Sequence, residues 1–330
     1  MELNNTITDI SGIEVGQAQD DEALTGCTVV LCRKGAVAGV DIRGSAPGTR
    51  ETDLLNPVNL VEKVHAIVLA GGSAFGLDAA SGVMRYLEEN GIGFDTGAGV
   101  VPIVPAAILF DLNIGHGDVR PDAEMGYRAA IAASSGFPAE GNAGAGAGAS
   151  VGKIFGPRSA MKSGIGTASM NVGGLIVGAI VAVNAFGDVI DPKTCQIIAG
   201  ARTSNLGPLT LGQKGYFGDT LEIMQTFVGR TALGFATKAN TVIGVVATNA
   251  KLTKPEATKV AQMAQDGVAR AIRPAHTMLD GDTLFALATG EKKTDPSTVG
   301  TFGAEVVAQA IVRAVQKAAP AGGLPGLNTD

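Results

Sequence analysis

The chain has no tryptophan, and aromatic residues make up only 4% of its 330 positions. A core with so few large rings must be filled by Ala, Val, Ile and Leu, and the 47 glycines allow backbones to approach closely. Cysteine is equally sparse. Cys27, Cys32 and Cys195 are odd in number and lack the spacing of a zinc or redox motif, which leaves free, mostly buried thiols. The three histidines, His65, His116 and His276, are scattered and form no HExxH pattern, so no metal site is expected. Positive charge is in deficit, with 25 Lys plus Arg against 31 Asp plus Glu and no long basic run, which argues against nucleic acid as a partner. Long hydrophobic runs are also missing. The stretches around Val100 to Phe110 and Leu175 to Val183 are too short, or too broken by Pro and Gly, to span a bilayer. The opening residues carry neither a positive leader nor an apolar stretch. A cytoplasmic protein without a membrane partner is the expectation.

What is present is 45% apolar content, enough for a sizeable core in one layered domain spanning residues 1–330. Cys27–Cys32 and Ala36–Ile42, separated by Arg33, Lys34 and Gly35, read as a hairpin. Ala66–Leu69 reads as a buried strand running into the glycine turn Ala70–Gly76. A helix follows, with Leu77, Ala80, Val83, Met84 and Leu87 at helical spacing. Pro121 and Asp122 open a second helix ending near Ser135 and Gly136. The Gly/Ala tract 141–152 has the composition of a linker, or of backbone packed close to a reacting centre where only hydrogen or methyl side chains fit. Gly164–Met170 and Leu175–Val183 form a hairpin, and the second strand is apolar on both faces, so it belongs inside a sandwich. Residues 201–239 read as a surface loop with a short helix at 220–227. A capping box, Thr253 with Glu256, starts a helix with an apolar stripe to Ile272. A strand at Thr283–Ala288 and a helix carrying Val306, Val307, Ala310 and Ile311 complete the core, and 319–330 is expected to be a disordered tail. Doubly buried strands between amphipathic helices predict an α/β fold of four layers, α-β-β-α, with two sheets inside.

The residue pair with most chemical content is Asn240-Thr241, ahead of the apolar strand Val242–Ala247. It reads as an ordinary strand start or as a processing site. If the bond before Thr241 is cut, the new terminus carries its own base, because an α-amino group titrating near ~7.7–8.0 can take the hydroxyl proton. Asn184 ends the doubly buried strand, either as a turn-former or as an amide donor to developing negative charge. Asp280 and Asp282 flank Gly281, as a plain turn or as carboxylates that fix and tune a nearby amine; as a Ca²⁺ loop the spacing is insufficient. Lys153 follows the Gly/Ala tract, but GxxxxGK[ST] would need glycine at Ala147 and a hydroxyl at Ile154. Only a weak G-x-G-x-x-A match survives there. A nucleotide-binding protein using this tract, or a non-catalytic glycine-rich assembly protein, remains open at this level.

Taken together, Leu69–Leu77, Gly144–Lys153, Val183-Asn184, Asn240-Thr241 and Met278–Phe285 resemble the self-processing N-terminal-nucleophile aminopeptidases. This is the L-aminopeptidase/D-amidase-esterase and β-peptidyl aminopeptidase family, which also holds the nylon-oligomer (6-aminohexanoate oligomer) endohydrolases. The resemblance implies autoproteolysis into 1–240 and 241–330 and cofactor-free hydrolysis of amide bonds in short peptides or linear amide oligomers, by an acyl-enzyme on Thr241. It further implies Asn184 as oxyanion donor, Lys153, Asp280 and Asp282 as supporting charges, and a homo-oligomer of four or more chains. Threonine with two aspartates looks like the nylon-oligomer branch, since aminopeptidase members typically cleave before serine and carry a Ser/Glu pair. Phe75, expected to meet substrate, stands where a tyrosine is often found. An exo-acting aminopeptidase is the alternative within the family.

Overall fold

The computed structural model describes residues 3–206, 209–211, 216–226, 229 and 240–329. Nine strands form its main sheet: β1 (Glu14–Asp20), β2 (Thr25–Ile42), β3 (Thr49–Arg50), β4 (Lys63–Ala70), β5 (Ala106–Ile108), β6 (Ile165–Val172), β7 (Leu175–Asn184), β8 (Thr241–Ala250) and β9 (Thr283–Lys292). They hydrogen-bond in the order β6-β7-β8-β9-β2-β4-β5-β3, with β1 also on β2. The main helices are α1 (Ala79–Glu89), α2 (Ala123–Ile131), α3 (Lys254–Ala271) and α4 (Pro296–Gln316).

Alternation along the strands sorts the apolar side chains into three interfaces. Val29 and Leu31 of β2, with Val68 of β4, pack on Val83 and Leu87 of α1 and Met125 of α2. Their neighbours Val30, Ile67 and Leu69 turn the other way and meet Ile180, Ile243, Val245, Phe285 and Leu287. On the opposite face of those last strands, Val181, Val242 and Leu284 pack against Val260 and Val268 of α3 and Val307 and Ile311 of α4. Helix, strand, strand, helix is therefore the layer order, as the doubly buried strands predicted.

The strand layers are not two separate sheets, however, and the hairpin predicted over Cys27–Ile42 does not form. Those residues belong to one 18-residue strand, β2, whose Cys27–Leu31 pair with β4 and whose Val37–Ile42 pair with β9. A register shift between Leu31 and Ala36, with Gly35 at φ +73°, replaces the turn. The hairpin β6–β7 forms as expected, and the capping box is present, Thr253 N–H reaching Glu256 Oε2 at 2.7 Å. Asp122 caps α2, which stops at Ile131.

The Gly/Ala tract is no linker: residues 143–152 are buried throughout. Its carbonyls at Gly146 and Ala149 accept from Nζ of the fully buried Lys162 at 3.1 and 3.0 Å, so backbone packed round an ammonium takes the place of a tether. The Pro/Gly-rich tail is tied down instead of frayed, with Lys162 N–H donating to Pro325 O at 2.9 Å and Asn328 N–H to Ala318 O at 2.9 Å. The short helix of the predicted loop spans Thr220–Gln225, whereas most of 227–239 lies outside the described residues. α4 is long and apolar enough to cross a bilayer by composition, but its apolar face is buried on β6 and β7, as in a core helix.

Candidate active site

Thr241 opens β8 because the β-branched, apolar run after it favours a strand, every residue of which is buried. Ile243, Val245 and Ala247 face the space between the two strand layers, so Thr241, two residues earlier, points to the same side. On β7, Ile180 and Ala182 face that space, and Asn184 continues their row. The antiparallel register places Asn184 directly opposite Thr241. Two residues far apart in sequence thus meet at one end of the inner layer.

Asn184 is held from several sides. Its Oδ1 accepts from Lys153 Nζ at 2.7 Å and from Ser150 N–H at 3.1 Å, while Nδ2 donates to Phe110 O at 2.8 Å. Lys153 Nζ also donates to the Asn184 carbonyl at 3.0 Å. Burial pushes the Lys153 pKa down to about 7, against the opposing pull of Asp280 and Asp111. Lys153 can therefore change charge near neutral pH. Beside it, Asp111 accepts from Thr25 Oγ1 and Gly72 N–H, and burial raises its pKa.

The two aspartates are clamped separately. Asp280 Oδ2 accepts from Thr277 Oγ1 at 2.6 Å and Thr277 N–H at 3.0 Å, and burial followed by the charge of Asp282 raises the Asp280 pKa. Asp282 Oδ1 accepts from Val242 N–H at 2.8 Å, one residue past Thr241, while Oδ2 accepts from His276 Nδ1 at 2.8 Å.

The Asn240–Thr241 peptide bond lies within this frame. The Asn240 carbonyl oxygen accepts from Gly281 N–H at 2.9 Å and from the Thr241 hydroxyl at 2.5 Å. A backbone N–H aimed at that oxygen can stabilise negative charge on it when the carbonyl carbon is attacked. Glycine is required sterically: a Cβ at 281 would sit 2.5 Å from Ala46 O and 3.1 Å from Thr241 Oγ1.

Thr241, Asn240, Asn184, Lys153, Asp280 and Asp282 are therefore brought together, whereas Phe75 is not among their partners. Its ring is exposed, with the Arg120 guanidinium 3.8 Å above it. The glycine turn before it touches the site indirectly, through Gly72 and Asp111. Sequence reasoning missed Gly281, His276, Thr277 and Ser150. Thr277 could have been found, as a hydroxyl three residues before an aspartate, but the backbone donors at Gly281 and Ser150 leave no signature. The amides of the Gly/Ala tract are taken by protein acceptors, Gly144 by Gln19 Oε1 and Ala145 by Thr28 Oγ1, which leaves no phosphate cradle there.

The sequence profile of peptidase family S58 matches residues 5–328. An uncharacterized aminopeptidase of Mycobacterium tuberculosis is 42% identical, covering 97% of this chain and 96% of its own length. A 6-aminohexanoate-oligomer endohydrolase of Kocuria sp. is 32% identical, covering 89% of this chain and 77% of its own. Among solved structures, the L-aminopeptidase D-Ala-esterase/amidase of Ochrobactrum anthropi, described as a variant of the Ntn-hydrolase fold, superposes with a TM-score of 0.71 at 18% identity, covering 97% of this chain and 88% of that one.

Proposed function

Because the chain belongs to peptidase family S58, an assignment carried by a match over nearly its whole length, we propose that it is a self-cleaving hydrolase of amide bonds with Thr241 as nucleophile. The observation that carries this reading is the Asn240 carbonyl, which takes the Gly281 N–H on its oxygen while the Thr241 hydroxyl lies against it. In maturation, Thr241 Oγ1 attacks the Asn240 carbonyl carbon, the C–N bond breaks, and the hydroxyl proton ends on the released amine. Water then hydrolyses the ester, leaving a carboxylate on Asn240 and a free Thr241 amine. In turnover that amine is the base for its own hydroxyl. Asn184 supplies an amide donor to the oxyanion, Lys153 holds the other end of the same amide, and Asp280 and Asp282 position the terminus.

Short peptides and linear amide oligomers are the proposed substrates, by analogy with the Kocuria 6-aminohexanoate-oligomer endohydrolase, which is 32% identical over 89% of this chain. A second reading, an exo-acting aminopeptidase, is favoured by the higher identity to the mycobacterial aminopeptidase. A cytoplasmic homo-oligomer completes the proposal. Intact-mass measurement of protein incubated until it hydrolyses substrate tests maturation. Chains 1–240 and 241–330 are the expected result, with Thr241→Ala uncut, and an active protein that stays full length would overturn it. Rates on N-free peptides, N-blocked peptides and 6-aminohexanoate oligomers then separate the two substrate readings.

A further inference from the structure

His276 has no part in the chemistry described so far, yet it reaches the site at two points. Its backbone N–H and its Nδ1 both meet Asp282 Oδ2, at 3.1 and 2.8 Å. The other oxygen of that carboxylate accepts Val242 N–H at 2.8 Å, the amide directly after Thr241. One carboxylate thus joins an imidazole to the strand that carries the nucleophile. The backbone geometry supports a dedicated contact, because His276 sits at φ +57°, a conformation uncommon outside glycine. The next residue, Thr277, clamps Asp280 in the same fashion, so two consecutive residues hold the two aspartates.

The ring faces few charges. Asp282 favours its protonated form, as does the Gln265 carbonyl on α3, whereas Arg43 opposes it. Arg43 itself extends from β2, donating its backbone N–H to Asp282 O at 2.9 Å and its Nε to Asp41 at 2.6 Å. Burial, the largest single influence, lowers the His276 pKa, but Asp282 and the Gln265 backbone together outweigh it, so the pKa lies above the ordinary imidazole value. A neutral Nδ1–H can also donate to the carboxylate, but the imidazolium adds the attraction of opposite charges at 2.8 Å, which is lost when the ring gives up its proton.

We propose that His276 is a positioning residue for Thr241, holding Asp282 by Nδ1–H so that the carboxylate fixes the Val242 amide, and that its protonation sets the alkaline limit of turnover. The kinetic part rests on Thr241 being the nucleophile; the structural part does not.

Two measurements test it. The chain has only three histidines, so NMR titration of their ring signals is tractable, and His276→Asn identifies the one of interest. In uncleaved Thr241→Ala protein, the His276 midpoint is expected above that of a free imidazole, and adding Asp282→Asn should lower it by about 1 unit or more. A midpoint that Asp282→Asn leaves unmoved overturns the proposal. For kinetics, protein confirmed as cleaved is compared across pH. His276→Asn retains a donor near the Nδ1 position but cannot titrate. It should fall about tenfold below wild type at acid pH, converge with it at alkaline pH and lose the alkaline limb, while His276→Ala stays low throughout. Profiles of His276→Asn and wild type that run parallel reject the role. If wild type neither cleaves nor hydrolyses, the nucleophile assignment fails, and the NMR titration alone decides whether His276 holds Asp282.

Discussion

A backbone N–H placed 2.9 Å from the Asn240 carbonyl oxygen has to be tested through the residue that bears it. Gly281→Ala would put a methyl 2.5 Å from Ala46 O and 3.1 Å from Thr241 Oγ1, so either the turn or the hydroxyl must move. The expected outcome is protein that folds but remains uncut, read by intact mass; normal cleavage would mean that the turn takes the methyl without displacing either the N–H, which alanine retains, or the hydroxyl. Asn184→Ala tests the proposed side-chain donor. In material confirmed as cleaved, kcat should drop by ~10²–10³, whereas a mere turn residue would change it little. Much of this cluster was legible because a polar residue at the end of an apolar strand has few reasons to be there: Thr241, Asn184 and the Asp280/Asp282 pair all fit that description. Gly281 and His276 were not legible. The first acts through a backbone N–H, which all residues but proline have, and the second through a partner six positions on, reached from a backbone at φ +57°.

At the scale of elements, the Gly/Ala tract shows how composition misleads. Its small residues fit a linker as well as close backbone packing, and the structure has the second: Gly152, at φ +75°, would place a Cβ 1.9 Å from Ala201 N. The tract is organised by Lys162, which donates to Gly146 O, Ala149 O and Ser163 O, and Ser150 at its end donates to the Asn184 amide. Burial lowers the Lys162 pKa to about 7 from an ordinary 10.5. A base depressed on folding contributes stability that is present above its unfolded pKa and lost as pH falls through the folded one, so the loss is complete below about 7. Lys162→Met removes this titration but strands three carbonyls. Wild type should therefore be the more stable, and its advantage should widen by about 1–2 kcal/mol from pH 7 to 8.5, measured by denaturant unfolding. A constant difference would show that Lys162 does not titrate in this window. The β2 misreading has a similar origin, since Lys34 and Gly35 look like a turn but lie in a register shift of one strand against β4, just before β9 takes over at Val37.

At the scale of the molecule, the four-layer order followed from the sequence because both faces of several strands are apolar, and only burial between layers satisfies that. What apolar pattern could not show is which strands share hydrogen bonds. The long β2 joins the layers into one path, and β8 lies between β7 and β9 near its middle. This arrangement determines what the proposed cleavage before Thr241 would do to the protein. The part beginning at Thr241 consists of β8, α3, β9 and α4, and it interleaves with the rest: β8 pairs with β7, β9 with β2, and α4 packs on β6 and β7. Released alone, it would expose Ile243, Val245, Phe285 and Leu287 on one face of its two strands, all now buried. The hydrophobic cost of that exposure is about 1.5–3 kcal/mol for each large side chain, before any lost hydrogen bonds are counted. The two chains are therefore expected to co-elute under native conditions, to separate only in denaturant and to unfold in a single transition. Native mass spectrometry or size exclusion of cleaved protein checks this, and a free fragment of residues 241–330 would show that the shared sheet does not hold the halves together.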